Sequence, residues 1–436
     1  MRDFFLNPAL ISVIFLCVLC IKKVNVLLAI IISTITAGLL SGMNIQDIMN
    51  IFISGMGGNS ETALSYILLG TFAATMAHSG FTDVISSKIA KFVSGKKRIL
   101  LTVLVLISMA SQNIIPIHIA FIPILIPPLL GIMNEMKLDR RAVACTLAFG
   151  LKMPYIALPV GFGLIFQNLI ADNMVQNGIN VARADIWKST FILGVGMLVG
   201  LLVALFITYK KPREYENKAE FCVNEDAKFK STHWVVMIAA IATFAVQLLT
   251  KSLPLGALVG LGIIFSCGAV SKDKMDHMMN EGIYLMGYVA FVMLVAAGFA
   301  SVLNQTGAVD KLVNAVLPML PSNIMITSLI ILILGLFVTI GIGTSFGTIP
   351  IIAVLFIPIC VKLGFNTQQM VILIATAAAL GDAGSPASDT TLGPTSGLNA
   401  DGQHNHIYDT CIPTFLHYNS ALIIFALIGI YIAGKF

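Results

Sequence analysis

The chain has 436 residues, of which 57% are hydrophobic and only 11% charged, and its mean hydropathy is +0.93. That leaves too little polar surface to cover a soluble globule of this size, so lipid must be the main solvent. The net charge of +5 sits mostly between apolar runs, where it reports membrane orientation and gives no case for nucleic-acid binding.

Apolar runs of about 17–25 residues, the length a bilayer demands of a helix, recur from Asn7 to Ile432. The run from Phe191 to Ile207 is apolar all round, which excludes the alternating pattern of a β-barrel strand. The fold class is therefore an all-α polytopic membrane protein. The first run has no small-residue cleavage site and is followed at once by Lys22, Lys23 and a second span, so it is expected to stay as a transmembrane helix. Cys17 and Cys20 lie within it, where packing is the expected role, and the seven cysteines give no disulfide framework.

The chain repeats itself. The segment from Ser65 resembles the segment from Ala290, and Gly55, Gly80 and Asp83 fall on Gly282, Gly307 and Asp310 at a common offset of 227. Further on, Ile115-Pro116 and Pro123 match Ile349-Pro350 and Pro358, and Pro154 and Gly163 match Pro386 and Gly393. Each half reads as three spans, an apolar stretch interrupted by polar residues, a span broken by Pro and Gly, and a last span.

The interrupted stretch decides the topology. Basic residues flank it on both sides, Lys88 to Arg98 before and Lys137 to Arg141 after, so a crossing would leave one basic loop outside. A re-entrant hairpin keeps both in the cytoplasm. Five spans and one hairpin per half then invert the second half relative to the first. The first repeat occupies residues 1–209, with its hairpin at 99–134, a broken helix at 141–166 and a span at 188–208. A cytoplasmic linker covers 210–231, and the second repeat covers 232–436, with its hairpin at 321–365 and broken helix at 369–398. About ten transmembrane helices, two hairpins and two broken helices result.

Irregular backbone at membrane depth is tolerated only where protein, water or a ligand satisfies its polar groups. Four such places carry polar side chains. The first hairpin tip has Ser108, Ser111, Gln112, Asn113 and His118; the first broken helix has Lys152 and Tyr155 beside Pro154, Pro159 and Gly161. The second tip has Thr344, Ser345 and Thr348, and the second broken helix has Asp382, Ser385, Ser388, Asp389, Thr390 and Thr391. Facing helix ends offer carbonyls to a cation and N–H groups to an anion. A carboxylate inside a span costs about 2.5–3.5 kcal/mol on insertion scales, so Asp382 and Asp389 point to function, unless Asp389 merely caps the resumed helix. Lys152 either pairs with a carboxylate or snorkels to the surface. Seven residues apart in one segment, the two aspartates are badly placed for an aspartyl catalytic pair, so no enzyme is expected. The polar stretch from Asn399, with His404, His406, Asp409 and Cys411, reads as a solvated loop and not as a zinc site.

The segment GDAGSPASDTTLGPTSGLNADGQ, Gly381 to Gln403, resembles the signature of the bacterial sodium/proton antiporter family of the ion transporter superfamily. The likeness covers essentially the whole chain and leans to the subgroup assigned amino-acid, histidine-type solutes. It implies a scaffold domain, a transport domain carrying two hairpins, homodimers, elevator-type movement and residence in the bacterial inner membrane. Carried onto this chain, it assigns Asp382, Ser388, Asp389 and Thr390 to the coupling Na+ or H+. Ser385 also falls within the matched motif, and Thr344 and Ser345 stand at the facing tip. No other cofactor is implied. Ser111, Gln112, Asn113, Lys152 and Tyr155 complete the expected solute site. With one Lys or Arg inside its spans, the chain suits a zwitterionic amino acid better than a dicarboxylate, the alternative being Na+/H+ exchange without an organic solute.

Overall fold

The computed structural model describes residues 7–22, 24–81, 84, 96–113, 122–216, 229–250, 252–308, 311, 314, 320–321, 323–342, 344–386 and 388–435. These residues are mostly helical, with no strand among them. The first stretch holds α1 (Pro8–Ile21), α2 (Val26–Leu40), α3 (Ile45–Met56) and α4 (Ser60–His78). Then come α5 (Lys97–Asn113), α6 (Ile122–Glu135), α7 (Arg140–Ala157), α8 (Phe162–Gln176) and α9 (Ile186–Val203). The second stretch runs through α10 (Ser231–Thr250), α11 (Leu253–Ser266), α12 (Met275–Gln305), α13 (Ile324–Ile342), α14 (Ser345–Lys362), α15 (Thr367–Ala379) and α16 (Asp389–Leu398). The last span reaches α17 (Ser420–Ala433) through two π-helical stretches, His406–Cys411 and Phe415–Asn419.

Four helical stretches are individually long and apolar enough to cross a bilayer: Arg183–Thr208, Ser231–Thr250, Ser345–Lys362 and His406–Ala433. The pair α7 and α8 makes a fifth when counted as one span bent by 45°. Several others are apolar but shorter, among them Leu27–Leu40, Leu253–Ser266, Ile324–Thr339 and Thr367–Ala379.

Local geometry repeats at the offset read from the sequence. Helices α4 and α12 end in the same turn, with Gly80 at φ 76° and Gly307 at φ 61°, the left-handed closure that glycine adopts without a Cβ clash. In both turns a hydroxyl, Ser79 or Thr306, donates to a carbonyl three residues back, Met76 or Leu303. The same hydroxyls accept from the N–H of Phe81 and Ala308. Asp83 and Asp310 lie outside the described residues. One difference has a plain cause: α12 runs unbroken for 31 residues, whereas its counterpart is interrupted at Gly57–Asn59, where a glycine pair weakens the helix. Pro154 and Pro386, by contrast, are not equivalent, because Pro154 lies inside α7 while Pro386 lies in the non-helical break before α16.

Packing sorts the helices into two groups, each drawn from both halves. Helices α3 and α4 lie along α12, with α11 against α4 and α2 against α12. Gly282 meets the backbone of Thr71, and Gly298 meets the Phe52 carbonyl, so these helices approach to backbone contact as small residues permit in membranes. The second group holds both interrupted stretches, both broken helices and the last spans: α5, α8 and α9 pack on α7, and α13, α14 and α17 pack on α15. Helix α14 touches α12, joining the groups.

Candidate functional site

The site grows from two helix breaks and one helix start. Helix α7 stops at Ala157, where Leu158 turns extended and Gly161 takes φ 57° before α8 begins. Helix α15 stops at Ala379 in the same manner, with Leu380 extended, and Gly381 and Gly384 at φ 81° and 113° carry the chain to α16. Ser388 caps that resumed helix by accepting from Thr390 N, so the cap is Ser388 and not Asp389. Helix α14 starts at Ser345 after an extended Thr344, placing its positive end beside the second break.

Asp382 stands at the centre. Its Oδ2 accepts from Tyr155 Oη at 2.8 Å and Ser345 Oγ at 2.7 Å, and lies 3.7 Å from Lys152 Nζ. Its Oδ1 accepts from Ser388 Oγ. Thr390 Oγ1 lies 2.9 Å from Ser388 Oγ and donates to the Asp382 carbonyl at 3.0 Å. Tyr155 Oη and Ser345 Oγ are 2.9 Å apart, so two protons serve three contacts around Oδ2. Lys152 and Tyr155, three residues apart, share one face of α7, and Gly150 lets Ser108 of α5 pack directly on the helix that carries them.

Lys152 is fully buried, which removes the snorkelling reading. Its ammonium donates to the Ala379 carbonyl at 2.5 Å, at the negative end of α15. A shell of aromatic rings closes over the cluster. Tyr155 packs on Phe166 and Phe346 with centroids 5.2 and 5.3 Å apart, and Tyr66, from α4 of the other group, meets Phe162 and Phe346 edge-on. From behind, the second π-helical stretch supports the break: Asn419 accepts from Gly381 N and donates to the Ala383 carbonyl.

The structure thus brings together Lys152, Tyr155, Ser345, Asp382, Ser388 and Thr390. Ser385 contributes its carbonyl to Thr391, and Thr344 its carbonyl to Thr348. Ser111 is buried on α5 and donates to the Ser108 carbonyl, without a contact to Asp382. The side chains of Gln112, Asn113, Asp389, Cys17 and Cys20, and all of His118, lie outside the described ones.

The stretch from Asn399 is only partly a solvated loop: Asn399, Gly402, Asn405 and Tyr408 are exposed, but others of its polar residues are not. His404 and Asp409 are buried, and the reason is a network that supplies their partners. Arg140, at the start of α7, is fully buried and grips Asp401 with two hydrogen bonds of 2.7 and 2.5 Å. The same guanidinium donates to Asn134 and to the Leu398 carbonyl, beneath the Tyr215 ring. Arg213 of the linker pairs with Asp409 at 2.7 Å. Burial alone would raise the Asp401 carboxyl, but the Arg140 hydrogen bonds and charge outweigh it and hold it below the ordinary range. Burial lowers the His404 imidazole to about 4 against the opposing pull of Asp409. His404 Nε2 lies 2.7 Å from Thr410 Oγ1, and His406 Nε2 lies 2.9 Å from the Pro386 carbonyl, tying this stretch to the second break.

Residues 144–430 match the model of the Na+/H+ antiporter family, and residues 7–93 match a second Na+-H+ antiporter family model. The chain belongs to the Na+/H+ antiporter family. A membrane protein of Vibrio parahaemolyticus is 47% identical, covering 97% of this chain and 99% of that one. A Bacillus subtilis relative described as "Putative amino acid transporter YuiF" is 42% identical over 97% of this chain and 99% of its own length. In fold, the chain is similar to the YdaH transporter of Alcanivorax borkumensis, with a TM-score of 0.62 and 14% identity over 99% of both chains. The MtrF pump of Neisseria gonorrhoeae gives a TM-score of 0.58 at 13% identity over 88% of this chain and 84% of that one. The protein is a multi-pass, all-helical membrane transporter of the Na+/H+ antiporter family.

Proposed function

We propose that the chain is a secondary active transporter that carries a small polar solute, an amino acid of the histidine type, across the inner membrane in exchange for or together with H+ or Na+. The observation that carries this reading is the buried Lys152–Asp382 pair, set among three hydroxyl donors where two helix breaks and the start of α14 converge. Charged groups at membrane depth are expensive and line ion and solute routes in transporters. An amino acid offers one charge of each sign, and so does this site. The α14 N-terminus suits a carboxylate, and the oxygens of Asp382, Ser388 and Thr390 suit a cation. The name of the Bacillus subtilis relative leans the same way. Two inverted repeats, each ending in a hairpin, a broken helix and a span, remain the topology we favour.

The family description itself favours a second reading, sodium/proton exchange with no organic solute. Purified protein in proteoliposomes separates the two, with labelled amino acids screened under imposed sodium or proton gradients, histidine first, and Asp382→Asn and Asp389→Asn as controls. Saturable, gradient-driven uptake lost in the controls supports amino-acid transport. Absent uptake, with sodium dissipating a pH gradient only in the wild type, replaces it with exchange.

A further inference from the structure

We infer that Lys152 is a built-in cation: its ammonium holds the place between the Ala379 carbonyl and the Asp382 carboxylate that a sodium ion would otherwise take. This deepens the proposed function, resting on the reading that the second break is where ions and solute meet, and it narrows the coupling ion at Asp382 from Na+ or H+ to H+.

A sodium ion at a helix break needs carbonyl oxygens from the helix C-terminus and a nearby carboxylate. Helix α15 ends at Ala379, and its carbonyl, at the negative end of the dipole, is the one Lys152 engages at 2.5 Å. The ammonium is fully buried and sits 3.7 Å from Asp382 Oδ2. A lysine head is a compact point charge with donors on all sides, close to an alkali ion in what it asks of oxygen ligands.

Among the described residues, three hydroxyls take most of the carboxylate's about four acceptor positions. Oδ2 faces Tyr155, Ser345 and Lys152, and Oδ1 takes the Ser388 hydroxyl. The backbone that carries the lysine is packed: Gly150, two residues before it, lets α5 lie against α7, and Tyr155, three residues after it, donates to the same carboxylate. A sodium ion held by the Ala379 carbonyl and Asp382 Oδ2 would have to displace the ammonium, because two positive charges within a few ångströms of one another repel strongly in a dry interior.

The test reads thermal unfolding of the full-length protein in detergent, with sodium chloride exchanged for choline chloride at constant ionic strength. It needs no solute, so its failure is distinguishable from failure of the amino-acid reading. The wild-type midpoint is expected to stay flat. Lys152→Ala opens the place to an ion, and its midpoint is expected to rise with the logarithm of sodium concentration, reaching about 3 °C at a hundredfold excess over the dissociation constant. Lys152→Ala with Asp382→Asn returns to a flat response. Lys152→Ser, whose short side chain leaves the Ala379 carbonyl open, substitutes if the alanine variant is not recovered folded. A sodium-dependent rise in the wild type that Asp382→Asn abolishes, or a folded lysine variant indifferent to sodium, overturns the assignment.

Discussion

Neutralising the two buried charges singly and together tests the architecture of the site in sodium-free buffer. Lys152→Met leaves Asp382 with the hydroxyls of Tyr155, Ser345 and Ser388. Asp382→Asn leaves the Lys152 ammonium with the Ala379 carbonyl as its charge-balancing contact among the described residues. Removing one partner of a buried pair costs about 3–5 kcal/mol, and less where the charge left behind keeps several hydrogen-bond donors. The lysine variant should therefore lose about 2 kcal/mol and the asparagine variant about 4 kcal/mol. The double variant, with no orphaned charge, should lose no more than about 2 kcal/mol. An unfolding entropy of roughly 2.1 cal/mol/K per residue gives nearly 1 kcal/mol per degree for 436 residues, so the expected falls in melting temperature are about 2, 4 and under 2 °C. Thermal melts of the detergent-purified proteins in choline buffer at pH 7 measure them. The reasoning is refuted if Asp382→Asn melts at or above Lys152→Met, or if the double variant melts below both.

Gly150→Ala places a methyl against Ser108 Cβ and 3.0 Å from Met109 N, so α5 must shift; a cost of about 1–3 kcal/mol and impaired uptake are expected in melts and proteoliposome flux. Gly384→Ala combines φ 113° with a methyl 2.5 Å from Phe415 Cβ and should lower the melting temperature well below that of Gly42→Ala, which has φ 83° but open space around it. The His404 imidazole is lowered by burial to about 4, so between pH 6.5 and 4 the unfolded chain binds a proton that the folded one refuses. Wild-type stability should thus fall on acidification through that window by on the order of 3 kcal/mol, a slope that His404→Asn removes. The Asp401 carboxyl is held low, so its contribution is complete above the unfolded value and is lost as pH falls through the folded one. The melting-temperature gap between wild type and Asp401→Asn should hold from pH 8 to 5 and close only below 3.8.

What was legible in the sequence was what local chemistry writes locally. The offset of 227 survives in matching glycine turns because each turn is dictated by a glycine at a left-handed position and a hydroxyl just before it. The helix breaks were legible too, because Pro, Gly and polar residues recur together in corresponding stretches of the two halves, whereas proline alone does not mark a break, as Pro350 and Pro358 inside α14 show. Partners distant in sequence were not. Arg140 was counted as one of several loop cations, yet it reaches Asp401 across 261 positions and loses all solvent. Nothing local marks it, although Asp401 and Asp409 in a stretch rich in polar residues hinted at cationic partners. The aromatic shell was missed because Tyr66, Phe162, Phe166 and Phe346 look like ordinary apolar span residues until two groups of helices press them together. Asn419 carried a usable signal, an amide inside an apolar span shortly after Pro413, where a π-helical stretch reorients side chains.

The placement of that aromatic shell bears on how the site could open. Tyr66 belongs to the helix group of α3, α4 and α12, while Phe162 and Phe346 belong to the group that carries Asp382. The polar contacts around the carboxylate, by contrast, all come from the second group: α7, the start of α14 and the second break. A relative shift of the two groups would therefore uncover the site by parting rings, which slide at small cost, and would leave the ion-paired cluster intact. The buried Arg140–Asp401 pair and the Arg213–Asp409 pair fasten α7, the end of α16 and the last span to one another and to the linker, so they too move with the cluster. Charges that are expensive to separate are thus kept on one side of the seam, and apolar contacts are left to cross it.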